Sequence, residues 1–349
     1  MSIAPLRWLL VFVIALGARA ILPPDARAAA PLLPPQNTWV NVTGTLANMP
    51  SECGNLTMLS SVPGSDTVIA GVAQRGLWVN SGGTTWSHLG AVAESDKITH
   101  RPSWITYDPL HAGVFWESGI YGSDGVYQTM DNGTTFHRLG SISHNDYVSV
   151  DFRDPERQTL LAGGHEQSQT VYLSTNGGRT WTNIGANLPA KTNFSSYPLV
   201  VNALTYLVNT SGSGSGSSGI YRTTDGGTSW QQVSALAPAG PPLVASNRAI
   251  YWPANGSLLR STNGGSTWTQ VGSSIQPVHP VELSDGKLVS VGADNLVMSA
   301  DGGSTWSPFG APLPFTPAGL IYSPGRRAFL IWRSDCGSVV LPNAVMEIR

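Results

Sequence analysis

One eight-residue pattern occurs six times in this chain and restricts the fold more than any other feature. Its shared form is Ser/Thr-x-Asp-x-Gly-x-Thr-Trp, and the aromatic residues that end successive copies are 38 to 50 residues apart. A period of this length is typical of a stacked or circular array of small repeated units. The six copies are Val79–Trp86, Thr129–Phe136, Ser174–Trp181, Thr223–Trp230, Ser261–Trp268 and Ser299–Trp306.

Each copy predicts a tight turn between two β-strands. The third position carries a short side-chain acceptor for backbone N–H groups of the turn, and the glycine permits a positive φ. The final tryptophan offers a large apolar face for burial between neighbouring sheets. The first copy departs from the pattern because Ser81 replaces the acid, and the second copy ends on Phe136. The third-position residues of the other copies are Asp131, Asn176, Asp225, Asn263 and Asp301.

The six copies resemble the Asp-box (BNR) repeat of sialidase-like β-propellers. This resemblance implies an all-β ring of blades in which the repeats are structural turns on the face away from the ligand site. One side-chain oxygen per turn is far fewer than the six to eight oxygens that calcium requires. Two cysteines without nearby histidines do not give zinc spacing either, so we expect no metal and no cofactor.

The two ends of the chain predict how the ring closes. Short apolar runs separated by Gly, Pro, Asn and Asp predict four strands per repeat, but only three follow the sixth copy. These are Gly319–Tyr322, Ala328–Trp332 and Ala344–Ile348, while Asn37–Thr43 near the start resembles a strand that follows a repeat. We therefore predict a seven-bladed β-propeller whose last blade is completed by the N-terminal strand, which leaves no open sheet edge. The alternative is six blades with an appended sheet.

The first 30 residues predict export. Arg7 precedes an apolar run from Trp8 to Leu16, and small residues follow up to Ala30. This is the layout of a signal peptide, and the run is too short to span a bilayer comfortably. We predict a signal peptide over residues 1–30, a single propeller domain over 31–349, and a secreted or extracytoplasmic protein with no membrane span after cleavage. An uncleaved anchor is the alternative.

The chain contains two cysteines, Cys53 before the first predicted strand of blade one and Cys336 in blade seven. In a propeller, these two connections emerge on the same face of adjacent blades. We therefore predict a disulfide that joins the two ends of the ring, in keeping with an oxidising compartment. Two unrelated free thiols are the alternative.

Candidate functional residues concentrate in blades two and three. In propellers, the links between blades and the loops between second and third strands surround the central channel on one face and form a concave site. The alternative is that polar residues there cap strand ends. The candidate catalytic residues are Glu117, Asp146, His165 and Glu166, and the candidate substrate-binding residues are Arg75, His100, Arg101, Tyr121, His144 and Arg333.

These residue types suit acid–base chemistry. The imidazole of His165 titrates near neutrality and follows two glycines, while Glu166 is its neighbour in sequence. Glu117 and Asp146 provide a second pair of carboxylates on adjacent blades, and a glycoside hydrolase needs two carboxyl groups several ångströms apart. Aromatic residues such as Tyr197, Trp252 and Trp332 are candidates for stacking against sugars or for packing between blades.

The resemblance to sialidases is incomplete. Those enzymes have an arginine triad, a Tyr–Glu nucleophile pair and an Asp acid/base, and Arg75, Arg101 and Arg333 are the candidates for a triad here. The Phe/Tyr-Arg-Ile/Val-Pro motif of the family is absent, and His100-Arg101-Pro102 does not match it. Xyloglucan-cleaving relatives place their acids across two propellers, whereas this chain supplies one. Photosystem-assembly propellers are similar in size and repeats.

Two functions remain open from the sequence. The first is a secreted, sialidase-like glycoside hydrolase that acts on a carbohydrate or polysaccharide. The second is a non-catalytic propeller that binds a glycan or a protein partner. A nucleic-acid partner is not expected, because the 19 basic and 21 acidic residues form no basic stripe with interleaved aromatics.

Overall fold

The computed structural model describes residues 37–49, 55–122, 125–190, 192, 194–211, 218–334 and 341–349. These residues form seven antiparallel sheets of four strands each. Apart from the strands, the regular elements are two short 3-10 helices, Gly44–Leu46 and Gly185–Asn187. The all-β prediction and the count of seven blades are therefore confirmed within the described residues.

The strands of each blade are consecutive in sequence, except in the last blade. The N-terminal strand is β1 (Trp39–Asn41). Blade one contains β2 (Leu56–Ser61), β3 (Val68–Val72), β4 (Gly76–Asn80) and β5 (Ser87–His88). Blade two contains β6 (Arg101–Tyr107), β7 (Phe115–Ile120), β8 (Val126–Thr129) and β9 (His137–Arg138). Blade three contains β10 (Val148–Val150), β11 (Leu160–Gly163), β12 (Val171–Ser174) and β13 (Thr182–Asn183).

The remaining blades follow the same plan. Blade four contains β14 (Leu199–Asn202), β15 (Thr205–Thr210), β16 (Gly219–Thr223) and β17 (Gln231–Ser234). Blade five contains β18 (Leu243–Val244), β19 (Ile250–Ala254), β20 (Gly256–Ser261) and β21 (Thr269–Ile275). Blade six contains β22 (Val281–Glu282), β23 (Leu288–Val291), β24 (Leu296–Ser299) and β25 (Ser307–Phe309). Blade seven contains β26 (Gly319–Ser323), β27 (Ala328–Arg333) and β28 (Ala344–Ile348).

The core lies between adjacent blades. The second strand of each of blades one to six is buried along its whole length, because neighbouring blades cover both of its faces. Such strands carry nearly continuous apolar runs instead of an alternating pattern. The outermost strands β5, β9 and β13 are two residues long and exposed, so they present little unpaired edge.

The chain's first strand completes its last blade. Strand β1 pairs with β28 in the register Trp39 to Ile348, and the N–H of Val42 donates to the carbonyl of Val345 at 2.9 Å. This confirms the predicted closure. The side chain of Thr43 extends the pairing, because its hydroxyl accepts the N–H of Val345 at 2.8 Å. The described ends of the chain are therefore joined by strand pairing within one sheet.

A buried ion pair reinforces the junction between blades seven and one. The guanidinium of Arg326 lies 3.0 Å from the carboxylate of Glu347, and both side chains are almost completely buried. The same guanidinium donates to the backbone carbonyls of Asp66 and Asn80 in blade one. Arg349 also contacts Glu347, at 2.6 Å. Because every charged group here has a hydrogen-bonding partner, burial of the pair is tolerated.

The repeated octapeptides form the turns that the sequence predicts. In the second copy, the two carboxylate oxygens of Asp131 accept the N–H and the hydroxyl of Thr135 at 2.9 and 2.7 Å. The hydroxyl of Thr129 accepts the N–H of Gly133 at 2.9 Å. In the first copy, where Ser81 replaces the acid, Asn80 takes over and its amide donates to the carbonyl of Thr85. In the other four copies, a side-chain oxygen of the third-position residue accepts the backbone N–H of the residue four positions later, as in the second copy. These residues are Asn176, Asp225, Asn263 and Asp301.

Three tryptophans of the repeats also link their own blades to the preceding blade. The indole N–H of Trp86 donates to the carbonyl of Val42, and that of Trp181 donates to Leu139, each at 3.0 Å. Trp230 makes the same contact across the next blade junction. The aromatic position therefore contributes a directional hydrogen bond in addition to buried area.

The two cysteines of the predicted disulfide, Cys53 and Cys336, lie outside the described residues. Their pairing remains a prediction.

We predict that an amide can replace the acid of a repeat turn, whereas an alanine cannot. Hydrogen bonds from Thr305 and Ser299 lower the pKa of Asp301 to about 2. The ionised turn therefore contributes stability above about pH 4, and this is lost as the pH falls towards 2. Asp301→Ala should lower the Tm at pH 7 by about 2 °C. Asp301→Asn should retain the Tm, since Asn263 fills the same position, and should lose less stability between pH 4 and 2. Equal Tm values for all three proteins would contradict this.

Candidate functional site

Three channel-face connections bring the sequence-predicted residues of blades two and three together. Tyr121 lies on the loop between β7 and β8, and His144 and Asp146 lie on the link from β9 to β10. His165 and Glu166 lie on the loop between β11 and β12. Five of the ten candidate residues thus form one cluster, which we call the His165 cluster.

A chain of hydrogen bonds runs through this cluster. Both carboxylate oxygens of Asp146 lie 2.9 and 3.0 Å from Nδ1 of His165. On the other side of the ring, Nε2 lies 3.0 Å from the hydroxyl of Tyr121. That hydroxyl in turn lies 3.1 Å from Oε1 of Glu166. A carboxylate at each end therefore brackets one imidazole and one phenol.

The protonation state of His165 decides whether this chain is complete. A neutral ring that donates from Nδ1 to Asp146 leaves Nε2 as an acceptor, and the single phenol hydrogen of Tyr121 then serves either His165 or Glu166. An imidazolium donates from both nitrogens, so Tyr121 can accept from His165 and donate to Glu166 at once. The geometry thus favours the charged ring.

The pKa values of the cluster agree with this reading. Burial opposes a charge on His165, but the hydrogen bond and negative charge of Asp146 outweigh it and raise the pKa of His165 above its usual 6.5. Burial and the hydrogen bond to Glu166 raise the pKa of Tyr121. The phenol is therefore a neutral donor at ordinary pH and not an activated oxyanion.

The backbone of the cluster is held in an unfavourable conformation. Tyr121, His144 and Glu166 have φ values of 55°, 55° and 53°. Residues with a Cβ rarely adopt the left-handed region, which costs on the order of 1–2 kcal/mol per residue. Such outliers concentrate at functional sites, where the surrounding structure holds them in position. Three of them within one side-chain cluster identify it as the leading candidate site.

A pocket of about 220 Å³ opens beside the cluster at the mouth of the channel. Asp146 lines it, as does Arg101, whose guanidinium lies 4.8 Å from the centre of the Tyr121 ring. Two aromatic residues, Trp104 and Tyr197, form further parts of its wall. Thr57, Pro241 and Ser334 also line it, so its walls come from blades one to five and seven. We call this the channel pocket.

Two candidate residues, His100 and Glu117, are held inside the protein. Nε2 of His100 contacts both carboxylate oxygens of Glu117 at 2.8 and 2.9 Å, and both side chains are fully buried. Gly119 has no room for a side chain, since a Cβ would lie 2.1 Å from the His100 ring. In this conformation the pair is inaccessible to a substrate and anchors the start of β6, which carries Arg101.

The three candidate arginines lie on three different elements of the ring. Arg101 lies at the cluster, whereas Arg75 lies on the loop between β3 and β4, and Arg333 ends β27 with its guanidinium 5.6 Å from the Phe315 ring centre. Of the aromatic candidates, Trp252 and Trp332 are buried, and Tyr197 alone of the three lines the channel pocket.

Two residues behind the pocket wall, Tyr147 and His279, were not among the residues predicted from the sequence. The ring centre of Trp104 lies 5.4 Å from that of Tyr147 and 4.9 Å from that of His279. Burial lowers the pKa of His279 to about 4, so this ring is neutral and packs as an aromatic group. Both residues lie on links between blades, so the rule used for the other candidates would have included them.

Two further observations concern ligands and membranes. Among the described residues, no group of three or more His, Cys, Asp or Glu side chains is arranged to hold a metal ion. Within the same part of the chain, no helix has the length and apolar character needed to cross a membrane.

Comparison with known proteins identifies the fold. The family model of the DUF6242 beta propeller domain matches residues 199–320, from blade four into blade seven. No curated protein matches the chain in sequence. Hundreds of chains in solved structures resemble it in fold.

One of these structures is the GH74 xyloglucanase from Xanthomonas campestris, with 17% identity over 88% of this chain and 55% of the enzyme, and a TM-score of 0.57. The second is the extracellular domain of a one-component system from B. thetaiotaomicron, with 11% identity, 90% and 40% coverage, and a TM-score of 0.61. The third is YCF48 from Cyanidioschyzon merolae, with 15% identity, 89% and 98% coverage, and a TM-score of 0.56. The chain thus spans about half of the first two and nearly all of the third. At these identities, the likeness concerns the fold alone.

We predict that Asp146→Asn lowers the pKa of His165 to below 6.5. Burial is the strongest influence on the pKa of this ring, and without the Asp146 carboxylate only the weaker attraction of Glu166 opposes it. Histidine NMR signals followed against pH measure the change directly. The raised pKa of His165 stabilises the fold of the wild-type protein below pH 6.5, and this contribution disappears as the pH rises through the folded-state pKa. The variant lacks this contribution and should therefore also be less stable than the wild type at pH 5.

Asp285→Asn, in an exposed turn of blade six, is the matched control and should leave the His165 pKa unchanged. An unchanged His165 pKa in Asp146→Asn would show that the hydrogen bond does not control the titration.

Proposed function

We propose that this chain is an exported, sialidase-like propeller that binds a carbohydrate at its channel face. The observation that carries the proposal is the channel pocket, where Trp104 and Tyr197 lie beside Arg101 and Asp146 at the edge of the His165 cluster. Aromatic walls with a few fixed polar groups are the usual composition of small-ligand sites. Sugars match such a surface, because they present apolar C–H faces and many hydroxyl groups.

Binding without cleavage fits the carboxylates better than hydrolysis does. Glycoside hydrolysis requires one carboxyl group to donate a proton and a second to act as base or nucleophile. Glu117 is buried against His100, and both oxygens of Asp146 contact His165. Glu166, whose side chain is 54% exposed, is the carboxylate of the four candidates that is best placed to meet a substrate.

The comparisons support a ligand-binding propeller without choosing the ligand. Similar propellers include a xyloglucanase and a YCF48 protein whose structure contains a D1 peptide. The chain covers 98% of a YCF48 protein but about half of the xyloglucanase.

A glycoside hydrolase is the second candidate, and one contact favours it. The hydroxyl of Tyr121 lies 3.1 Å from Glu166, the arrangement needed for a carboxylate to activate a phenol as a nucleophile. Against this, the pKa of Tyr121 is raised, so the phenol stays protonated at ordinary pH. Release of reducing sugar from a bound glycan, lost in Tyr121→Phe, would establish this alternative.

We predict that the protein binds a subset of glycans on an array and that isothermal calorimetry with a hit gives a single class of sites. Tyr121→Phe and Glu166→Gln should each weaken binding about tenfold, since each removes one polar contact of the cluster. Glu156→Gln, an exposed acid on the opposite face, is the matched control and should bind normally. A protein that binds no glycan but captures a peptide would support the rival assembly function and overturn this proposal.

We also propose that residues 1–30 direct export and are then removed. N-terminal sequencing of the protein recovered outside the cytoplasm should begin near residue 31, because small residues up to Ala30 form the cleavage site. Recovery of the chain with Met1 intact in the membrane fraction would support the anchor instead.

A further inference from the structure

A pocket larger than the channel pocket lies outside the candidate site. It has a volume of about 670 Å³ and lies at the junction of blades one and two. One wall is formed by β4 and the loop before it, and the other by the link from β5 to β6. Its volume falls within the range of about 300–1,000 Å³ that is usual for small-molecule sites. We call it the blade one–two pocket.

Part of its lining is apolar, and the indole of Trp78 within that part is held in place. Trp78, Leu77, Ile98 and Phe136 contribute apolar surface. The indole N–H of Trp78 donates to the carbonyl of Arg75 at 3.0 Å, and the indole ring packs edge-to-face with His88 at 5.1 Å. An indole held in this way is a preformed platform, because little rotamer freedom remains to be lost on binding.

The charged residues of the lining are predominantly basic. Lys97 and Arg75 both line the pocket and are exposed. The acidic residue of the lining, Asp96, accepts the backbone N–H of Arg138 at 2.8 Å, which offsets part of its charge. An aromatic platform beside cations suits a ligand that has an apolar face and a negative charge.

The blade one–two pocket adjoins the channel pocket. Thr99 lines the first and Arg101 lines the second, so one residue, His100, separates them along the chain. Two residues of extended chain span at most about 7 Å. The partition is rigid, because His100 is locked to Glu117 and its carbonyl accepts the N–H of Gln74 at 3.1 Å. A linear polymer lying across this face would therefore meet both pockets.

We propose that the blade one–two pocket is a second subsite for the same polymer and takes a sugar unit that carries a carboxylate. The ligand class is thus an acidic polysaccharide, with its uncharged face against Trp78 and its carboxylate beside Lys97. This inference rests on the proposed function, since it assigns the ligand class of that binding face.

The test compares a galacturonic acid oligomer with a galactose oligomer of the same length by calorimetry. The wild-type protein should bind the acidic oligomer at least tenfold more tightly in low salt, and the preference should shrink as salt is added. Lys97→Gln and Trp78→Ala should each weaken binding of the acidic oligomer about tenfold, and Lys97→Arg should restore most of it. Lys287→Gln, at a half-exposed lysine of blade six that pairs with Asp285, is the control and should bind like the wild type. Melting curves of each variant confirm that it is folded.

The possible outcomes distinguish failure of the acidic subsite from failure of the proposed carbohydrate binding. If both oligomers bind equally and Lys97→Gln has no effect, the acidic subsite is wrong while carbohydrate binding at the channel pocket stands. If glycans of every class fail to bind, the proposed function itself is wrong, and the subsite fails with it.

Discussion

The pairing of β1 with β28 is the contact on which the rest of this structure depends. A propeller blade buries its faces only against its neighbours, so a ring that stays open exposes two sheets and the edges of their strands. Here the strand at residues 39–41 closes blade seven, and Arg326 ties that blade to blade one through buried contacts. Loss of one partner from such a buried pair costs about 3–5 kcal/mol. Both strand pairing and a buried ion pair therefore stabilise the closed ring.

The channel face takes its geometry from this closure. Its lining comes from blades one to five and seven, so no single blade can form it. Positive φ values at Tyr121, His144 and Glu166 persist because the packed blades hold the loops that carry them. The buried pair of His100 and Glu117 then fixes the partition between the two pockets. His100 and Glu117, which the sequence suggested as functional residues, thus contribute to the site by positioning its walls.

The sequence alone was sufficient for the fold and for part of the site. The repeated turns and the unmatched strand near Trp39 predict seven blades and their closure, because both are local patterns with a fixed spacing. The same rule found Asp146 and His165, since it needs only to know which connections face the channel. It could not separate the buried Glu117 from the exposed Glu166, nor show which of the three arginines packs against Tyr121. Those distinctions depend on side-chain direction and burial, which strand order does not determine.

Amide hydrogen exchange at the ring junction tests the central claim most directly. If β1 closes the ring, the N–H groups of Val42 and Val345 should exchange as slowly as those of the buried strand β3, and only through global unfolding. In Arg326→Met, both should exchange faster while β3 in blade one stays protected longer. Rapid exchange of Val42 and Val345 in the wild-type protein would contradict the closure, and with it the arrangement of the channel face.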